Sequence, residues 1–256
     1  MKVFRIRLDL SRSGYCDEIE HALWSYLVCL HGATQIANDD YIFVRHGNFL
    51  SVEVTCPEDD SLYRPSPVEY TRQMRRKLEE ATGFPLFIEQ IGDDPQERGY
   101  TAAVDPVSYI LRYGAYSPLL CGRTLEPVPL YRIPPTDPRG ESYDDIGNWE
   151  HTYKRLYGLW IGSTVGERYA QDQLQRFDSE LSVLGRSVCA RIERRTGKPT
   201  FYFLLNDRRW TTRQDRNRKC PGCGGDWALE SDAPHRDIAF RCEPCRLVSE
   251  RSPSCR

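Results

Sequence analysis

Four cysteines near the end of the chain have the spacing for metal chemistry. Cys220 and Cys223 stand in KCPGCGGDW at 219–227, Cys242 and Cys245 stand in FRCEPCR at 240–246, and residues 224–241 separate the pairs. Each C-x-x-C turn folds the backbone into a knuckle that aims two thiolates at one point. Two such pairs across a loop of this length form a tetrahedral four-sulfur site for zinc. Pro221-Gly222 and Gly224-Gly225 suit the knuckle, because glycine tolerates positive φ and leaves room beside the sulfurs. Four thiolates close the coordination sphere, so the single Zn2+ expected here is structural, with no open position for water or substrate. His235 is a spare donor within the loop. RLVSER after the second pair suits a closing strand, with Trp227, Leu229, Ile238 and Phe240 over the small core of a zinc ribbon.

Other cysteine chemistries fit less well. A thioredoxin-like pair enters a helix after a strand, whereas glycines follow Cys223. A secreted disulfide framework calls for an export signal, yet the chain starts with MKVFRIRLDL, charged at every second residue. Cys16, Cys29, Cys56, Cys121, Cys189 and Cys255 are scattered singly. The expectation is a reduced, cytoplasmic protein without the run of about 18 apolar residues that a membrane helix needs.

Catalysis has no motif behind it. H-E-x-x-H, G-x-S-x-G and the Walker loop are missing from the sequence. The pairs Asp39-Asp40, Asp59-Asp60, Asp93-Asp94 and Asp144-Asp145 fall at expected loops or helix starts, where acids favour turns and complement the helix dipole. The chain is therefore read as non-catalytic.

Charge divides the molecule. Residues 1–150 carry 15 Lys and Arg against 24 Asp and Glu, and residues 151–256 carry 20 against 13. Between Lys198 and Lys219 seven basic residues face only Asp207 and Asp215, with Trp210 among them. A basic, aromatic-bearing segment before a zinc ribbon is the footprint of nucleic-acid contact, and equally that of a solvated linker.

The elements that carry these residues follow from periodicity. KVFRIRLDL at 2–10 alternates Phe4, Ile6, Leu8 and Leu10 with charged residues, as a half-buried strand does. Helical spacing follows over 16–31, then YIFVR and NFLSVEVTC form two strands turning at His46-Gly47-Asn48. Ser66-Pro67-Val68-Glu69 reads as a capping box opening a helix that ends before Gly83, and PLFIEQI at 85–91 is a fourth strand. This βαββαβ order predicts an α+β fold whose N-terminal domain, residues 1–95, is a ferredoxin-like sandwich. Residues 96–207 form a second α+β region, with strands expected near YTAAV and VPLYRI and helices near Tyr143–Gly158, from about Gly166 to Phe177, and from Ser179 or Glu180 to Thr196. Residues 208–256 form a basic linker and the ribbon. Thr82-Gly83-x-Pro85 and Thr196-Gly197-x-Pro199 echo each other at two helix-to-strand junctions, as a weak repeat or as shared turn chemistry.

CPGCGGDWAL…FRCEPCRLVSE, with GYTAAVDPVSYILRYGAYSPLLCGRTLEPVPLYRIP, YDDIGNWEHTYKRLYGLWIGSTVGERYAQDQL and CARIERRTGKPTFYFL, resembles a bacterial family of unknown function. That family is described as zinc-ribbon-containing, with nucleic-acid binding suggested for it. The likeness covers most of the chain from about residue 95 and is strongest in the ribbon. It implies a further C-x-x-C after the Ser-Pro-Leu stretch, where this chain keeps Cys121 but has Thr124 in the second place.

Two functions follow. In the first, the protein captures a macromolecular partner, most simply a protein. Glu53, Glu58, Asp59 and Asp60 would face a basic toxin or nuclease, as in an inhibitor or immunity protein. In the alternative, Arg208, Arg209, Arg213, Arg216, Arg218 and Lys219 contact phosphates while Trp210 or Trp227 stacks on a base. The first is preferred here because the acidic part is the folded bulk of the chain.

Overall fold

Alternating burial makes Lys2–Asp9 the strand β1, in a computed structural model that describes residues 1–96, 100–162, 164–229 and 237–255. It is followed by α1 (Asp17–Gly32), β2 (Val44–His46), β3 (Phe49–Cys56), α2 (Glu69–Thr82) and β4 (Phe87–Asp93). The four strands form an antiparallel sheet in the order β2-β3-β1-β4. Register places Ile6 opposite Val52 and Leu8 opposite Leu50, so the apolar residues of β1 and β3 share one face. Leu23, Leu27 and Leu30 of α1 and Met74 and Leu78 of α2 close the core over that face. On the opposite face Arg5 bridges Glu53 at 2.6 Å and Glu89 at 3.5 Å, while the Arg7 guanidinium lies over the rings of Phe49 and Phe87.

Two local expectations shift here. The second strand starts at Val44 instead of Tyr41, and a two-residue turn with Gly47 at φ +57° joins it to β3. Helix α2 starts at Glu69, two residues after Pro67. Ser66 Oγ accepts the Val68 amide at 3.3 Å and the Ser66 carbonyl accepts from Arg72, so the serine is used before a capping box can form.

The second group of elements comprises β5 (Tyr109–Leu111), β6 (Leu119–Cys121), α3 (Asp144–Gly162), α4 (Glu167–Gln175), α5 (Glu180–Thr196), β7 (Thr200–Leu204), α6 (Thr212–Arg216), β8 (Phe240–Cys242) and β9 (Leu247–Ser249). Its five strands lie in the order β6-β5-β7-β9-β8, with β5, β7 and β9 parallel and the two edge strands antiparallel. Every residue of β7 is buried, which explains its continuous TFYFL run. Gly185 of α5 is required by packing: a Cβ there would stand 2.2 Å from the Tyr202 ring and 2.7 Å from Trp149 Nε1.

YTAAV and VPLYRI form no strand. Leu130–Arg132 is a 3₁₀ turn between Pro129 and Pro134-Pro135, where missing amides cannot complete a ladder. The strands of this region are Tyr109–Leu111 and Leu119–Cys121 instead. By contacts the chain divides into residues 1–102 with 129–143, and residues 103–128 with 144–256, where sequence composition suggested lines after 95 and 207. Strand β9 pairs with β7 in the register Tyr202 to Leu247, so the ribbon shares the sheet of the second unit.

The two helix-to-strand junctions are built alike. Gly83 and Gly197 are left-handed, at φ +72° and +70°, and their amides donate to the carbonyls of Glu79 and Glu193. Glu79 Oε1 accepts the Leu86 amide at 3.3 Å, and Glu193 Oε2 accepts the Thr200 amide at 3.1 Å. Thr82 and Thr196 each donate to the carbonyl four residues back. The shared pattern is thus E-x-x-T-G-x-P, in which the glutamate side chain caps the incoming segment.

Candidate metal centre and the basic segment beside it

The first knuckle closes on itself: the Gly224 amide donates to the Cys220 carbonyl at 2.8 Å, and the Cys220 amide to the Gly225 carbonyl at 2.9 Å. Gly224 stands at φ +73°. A Cβ on Gly222 would meet Cys245 Sγ at 2.8 Å, so this glycine keeps the two knuckles close enough to share a metal. Antiparallel pairing of Cys242 with Leu247 sets the second knuckle on β8 and β9. Buried Trp227 packs on Phe240 with ring centroids 5.3 Å apart and donates its indole N–H to the Arg218 carbonyl at 2.9 Å.

The ligand atoms of Cys220, Cys223, Cys242 and Cys245 all lie within 4.8 Å of one another. Cys223 and Cys242 have their sulfurs 3.6 Å apart, close to the ~3.8 Å edge of a tetrahedron with zinc–sulfur bonds of about 2.3 Å. The residues fit one zinc ion. Among the described residues this is the only group of three or more metal donors, and Cys121 stands outside it, buried on β6. His235 lies outside the described residues. Arg246, next to Cys245, reaches Glu193 at the end of α5 through two 3.0 Å hydrogen bonds. The capping glutamate of the second junction therefore also anchors the ribbon.

The basic segment separates into two kinds of residue. The Arg218 guanidinium lies 3.9 Å from the Phe240 ring centroid, 4.9 Å from Trp227 and 5.4 Å from Trp210, and donates to the Glu250 carbonyl at 3.1 Å. Burial holds its pKa down at about 10. Arg218 is thus part of the packing, and Lys219 pairs with Asp226 at 2.6 Å. Arg208, Arg209, Arg213 and Arg216 are exposed, and among the described residues no carboxylate lies within ion-pair distance of them. Two of the four ride on α6, whose N-cap Thr211 forms a capping box with Gln214. Asp215 of the same helix points inward and is fully buried. Trp210, whose amide donates to Ser252 Oγ, stands with Phe177, Trp227, Arg208 and Arg218 around a cavity of about 510 Å³.

The acidic residues are differently placed. Glu53 pairs with Arg5 at 2.6 Å, Asp60 with Arg64 at 2.6 Å, and Asp59 lies 3.8 Å from Lys2. Glu58 accepts from Tyr131 Oη and from Arg132, both partly buried with it. Glu53 lies mid-strand on β3, while Glu58, Asp59 and Asp60 sit in the turn after it. Sequence reasoning missed Tyr131 and Arg132 as partners because they arrive from a segment some seventy residues away.

Residues 103–205 match a family model described as Domain of unknown function (DUF2310), and residues 209–255 match Domain of unknown function (DUF8594). An uncharacterized protein of Haemophilus influenzae is 30% identical over 209 residues, covering 79% of this chain and 77% of that protein. The chain belongs to the DUF2310 family. A second uncharacterized protein of Haemophilus influenzae is 31% identical over 170 residues, covering 66% of this chain and 82% of its own length. The DUF2310 match spans β5 to β7, and the DUF8594 match begins at Arg209 and takes in all four cysteines. The expected membership of a family of unknown function thus rests on both segments. Among the described residues no helix is long and apolar enough to cross a membrane.

Proposed function

We propose that this DUF2310 protein binds single-stranded nucleic acid along residues 208–219, beside a ribbon closed by one structural zinc. One observation carries the reading: Arg208, Arg209, Arg213 and Arg216 project charge that the described residues leave uncompensated, next to Trp210. Unpaired guanidinium groups attract phosphates and release their counterions, and an indole offers a stacking surface tolerant of any base. Arg218 supports the platform and Lys219, paired to Asp226, adds little free charge. The zinc holds the knuckles and performs no reaction, because four thiolates leave it no open position.

The strand order β2-β3-β1-β4 with two helices over one face supports the ferredoxin-like reading of the N-terminal unit. Ten cysteines without a disulfide support a reducing compartment. The protein-capture reading keeps the acidic excess of residues 1–150 in its favour, but Glu53, Glu58, Asp59 and Asp60 already face cations of their own unit.

Fluorescence anisotropy of labelled single-stranded DNA and RNA against the zinc-loaded protein across a salt series tests the proposal. Log affinity falls linearly with log salt, and replacing the four arginines by glutamine lowers the magnitude of the slope by about 0.7 for each phosphate no longer neutralised. A quadruple variant that binds as the parent does, or a parent that binds nothing at low salt, would retire it. Capture of a basic protein that survives lysine at Glu53, Glu58, Asp59 and Asp60 would likewise retire the acidic-face reading.

A further inference from the structure

A cavity of about 220 Å³ lies within the first unit, lined by α1, by the segment leading into α2, and by α2 itself. Two polar side chains that line it are almost fully buried, Gln35 at 1% exposure and Thr71 at 2%. Gln35 donates its Nε2 to the Ser61 carbonyl at 2.7 Å and to the Arg64 carbonyl at 3.4 Å, which fixes the amide. Its Oε1 is left over, and among the described residues nothing donates to it. Thr71 Oγ1 is likewise without a partner among the described residues. Other helical threonines here satisfy the hydroxyl on the carbonyl four residues back, as Thr82, Thr152 and Thr196 do. Unmatched buried polar atoms are few in a native fold, and two of them lining one cavity point to a bound ligand or to water that completes them.

Charge narrows the ligand. Arg64, Arg72, Arg75 and Arg76 line the same cavity, and among the described residues no carboxylate does. Their partners stand outside it: Asp60 pairs with Arg64, Glu79 with Arg75, and Glu69 is shared by Arg72 and Arg76. Four cations against three acids leave one positive charge over, which a monoanion balances. Arg64 reaches its acid through Nε and Arg76 through one Nη, so both keep N–H groups to give. The volume is the liquid share of about seven water molecules, too small for a nucleotide. Leu30, Leu62 and Pro65 add apolar lining, which favours a carbon skeleton over inorganic phosphate. The donor that Gln35 Oε1 lacks is a neutral one, because four guanidinium groups repel an ammonium.

We propose that this cavity binds a small 2-hydroxycarboxylate. Its carboxylate meets Arg64 and Arg76, its hydroxyl donates to Gln35 Oε1 and accepts from Thr71, and its carbon chain lies against Leu30 and Leu62. The site is independent of the nucleic-acid reading and shares no residue with it.

Calorimetric titration of racemic lactate and racemic 2-hydroxy-4-methylpentanoate into the full zinc-loaded chain tests it. Propionate and 4-methylpentanoate are the matched acids without the hydroxyl, and inorganic phosphate is the bare anion. Each hydroxy acid binds about tenfold tighter than its matched acid, the worth of one buried hydrogen bond, and phosphate binds more weakly than either hydroxy acid. Thr71→Val removes a hydroxyl that has no partner in the free protein, so the variant keeps its fold and narrows the gap between hydroxy and matched acids. Arg76→Gln weakens all the acids alike. The proposal is overturned if no hydroxy acid binds at millimolar concentration, if hydroxy and matched acids bind the parent equally, or if phosphate binds more tightly than both, since water then completes Gln35 and Thr71. An undiminished gap in folded Thr71→Val overturns it as well. The comparison of hydroxy with matched acids needs no variant, so a misfolded protein does not block the decision.

Discussion

Two stretches of this protein, one in each unit, handle charge in opposite ways. Around the end of β3, Glu53, Glu58, Asp59 and Asp60 each have a cation of their own unit within 4 Å, whereas Arg208, Arg209, Arg213 and Arg216 beside the ribbon have no carboxylate that close among the described residues. A count of acids and bases along the sequence rates the two stretches as similar opportunities for a partner. Pairing reverses that judgement, since a partner of the first must displace internal cations while a partner of the second meets bare guanidinium groups. Net charge of a segment measures attraction at long range. Available charge at contact is a tertiary property.

The largest test asks whether the second unit stands as one body. Zinc in such sites contributes on the order of 10 kcal/mol or more of folding free energy. Because β9 lies between β7 and β8, chelation or the double change Cys220→Ser, Cys223→Ser removes two strands from the sheet. Hydrogen exchange should therefore accelerate across β7 to β9 while β1 and β3 keep their protection. Undiminished protection of β7 after metal loss would show the ribbon to be an appendage, and would sever the link between metal and sheet.

Next in size is the contrast among the acids themselves. Glu58 is partly buried against Tyr131 and Arg132, so Glu58→Gln strips a charged partner from a half-buried guanidinium at a cost of about 1–3 kcal/mol. Glu53→Gln, Asp59→Asn and Asp60→Asn remove exposed pairs and cost under about 1 kcal/mol each. Arg209→Gln and Arg213→Gln should leave stability within about 0.5 kcal/mol. Chemical denaturation of the set decides it: a Glu58 variant as stable as the parent would make that acid as available as the arginines.

What the sequence made legible was local. The alternation of Phe4, Ile6 and Leu8, the stop at Gly83 and the C-x-x-C spacing each act within a few residues, and each has its expected place in the fold. The pairing of β7 with β9 joins residues some 45 apart and leaves no local trace, so the ribbon's place in the sheet could not be read. The inward turn of Arg218 onto Phe240 and Trp227 was equally hidden, because an arginine in a basic run looks the same whether it packs or projects. The twin junctions lie between these cases. Their glycines were visible, but the hydrogen bonds of Glu79 and Glu193 to the next segment were not.

Those twin glutamates give a finer test. Glu79 serves its own helix, pairing with Arg75, whereas Glu193 holds Arg246 beside the metal knuckle. Both pairs are about a third exposed, so glutamine at either costs on the order of 1 kcal/mol. Only Glu193→Gln should also speed zinc loss, measured as release to a chromogenic chelator. Equal release rates in the two variants would reduce the Arg246 contact to a surface ion pair.

The smallest effect is one of sign. Arg246 and the Thr200 amide hold the Glu193 carboxyl below its ordinary pKa, so its contribution to stability is present above pH ~4.5 and lost as pH falls through the lower folded value. Glu150, half-buried on α3, goes the other way: desolvation raises it to about 7, with Lys154 only partly offsetting this. Between its unfolded value near 4.5 and its folded value near 7 the folded protein holds the extra proton. Stability from this group therefore falls as pH rises through that window and stays reduced above it. Glu150→Gln should match the parent near pH 4 and exceed it at pH 8 by about 1–2 kcal/mol, discounted for partial exposure. Urea melts at the two pH values decide the point, because a variant no more stable than the parent at pH 8 means that water reaches the carboxylate.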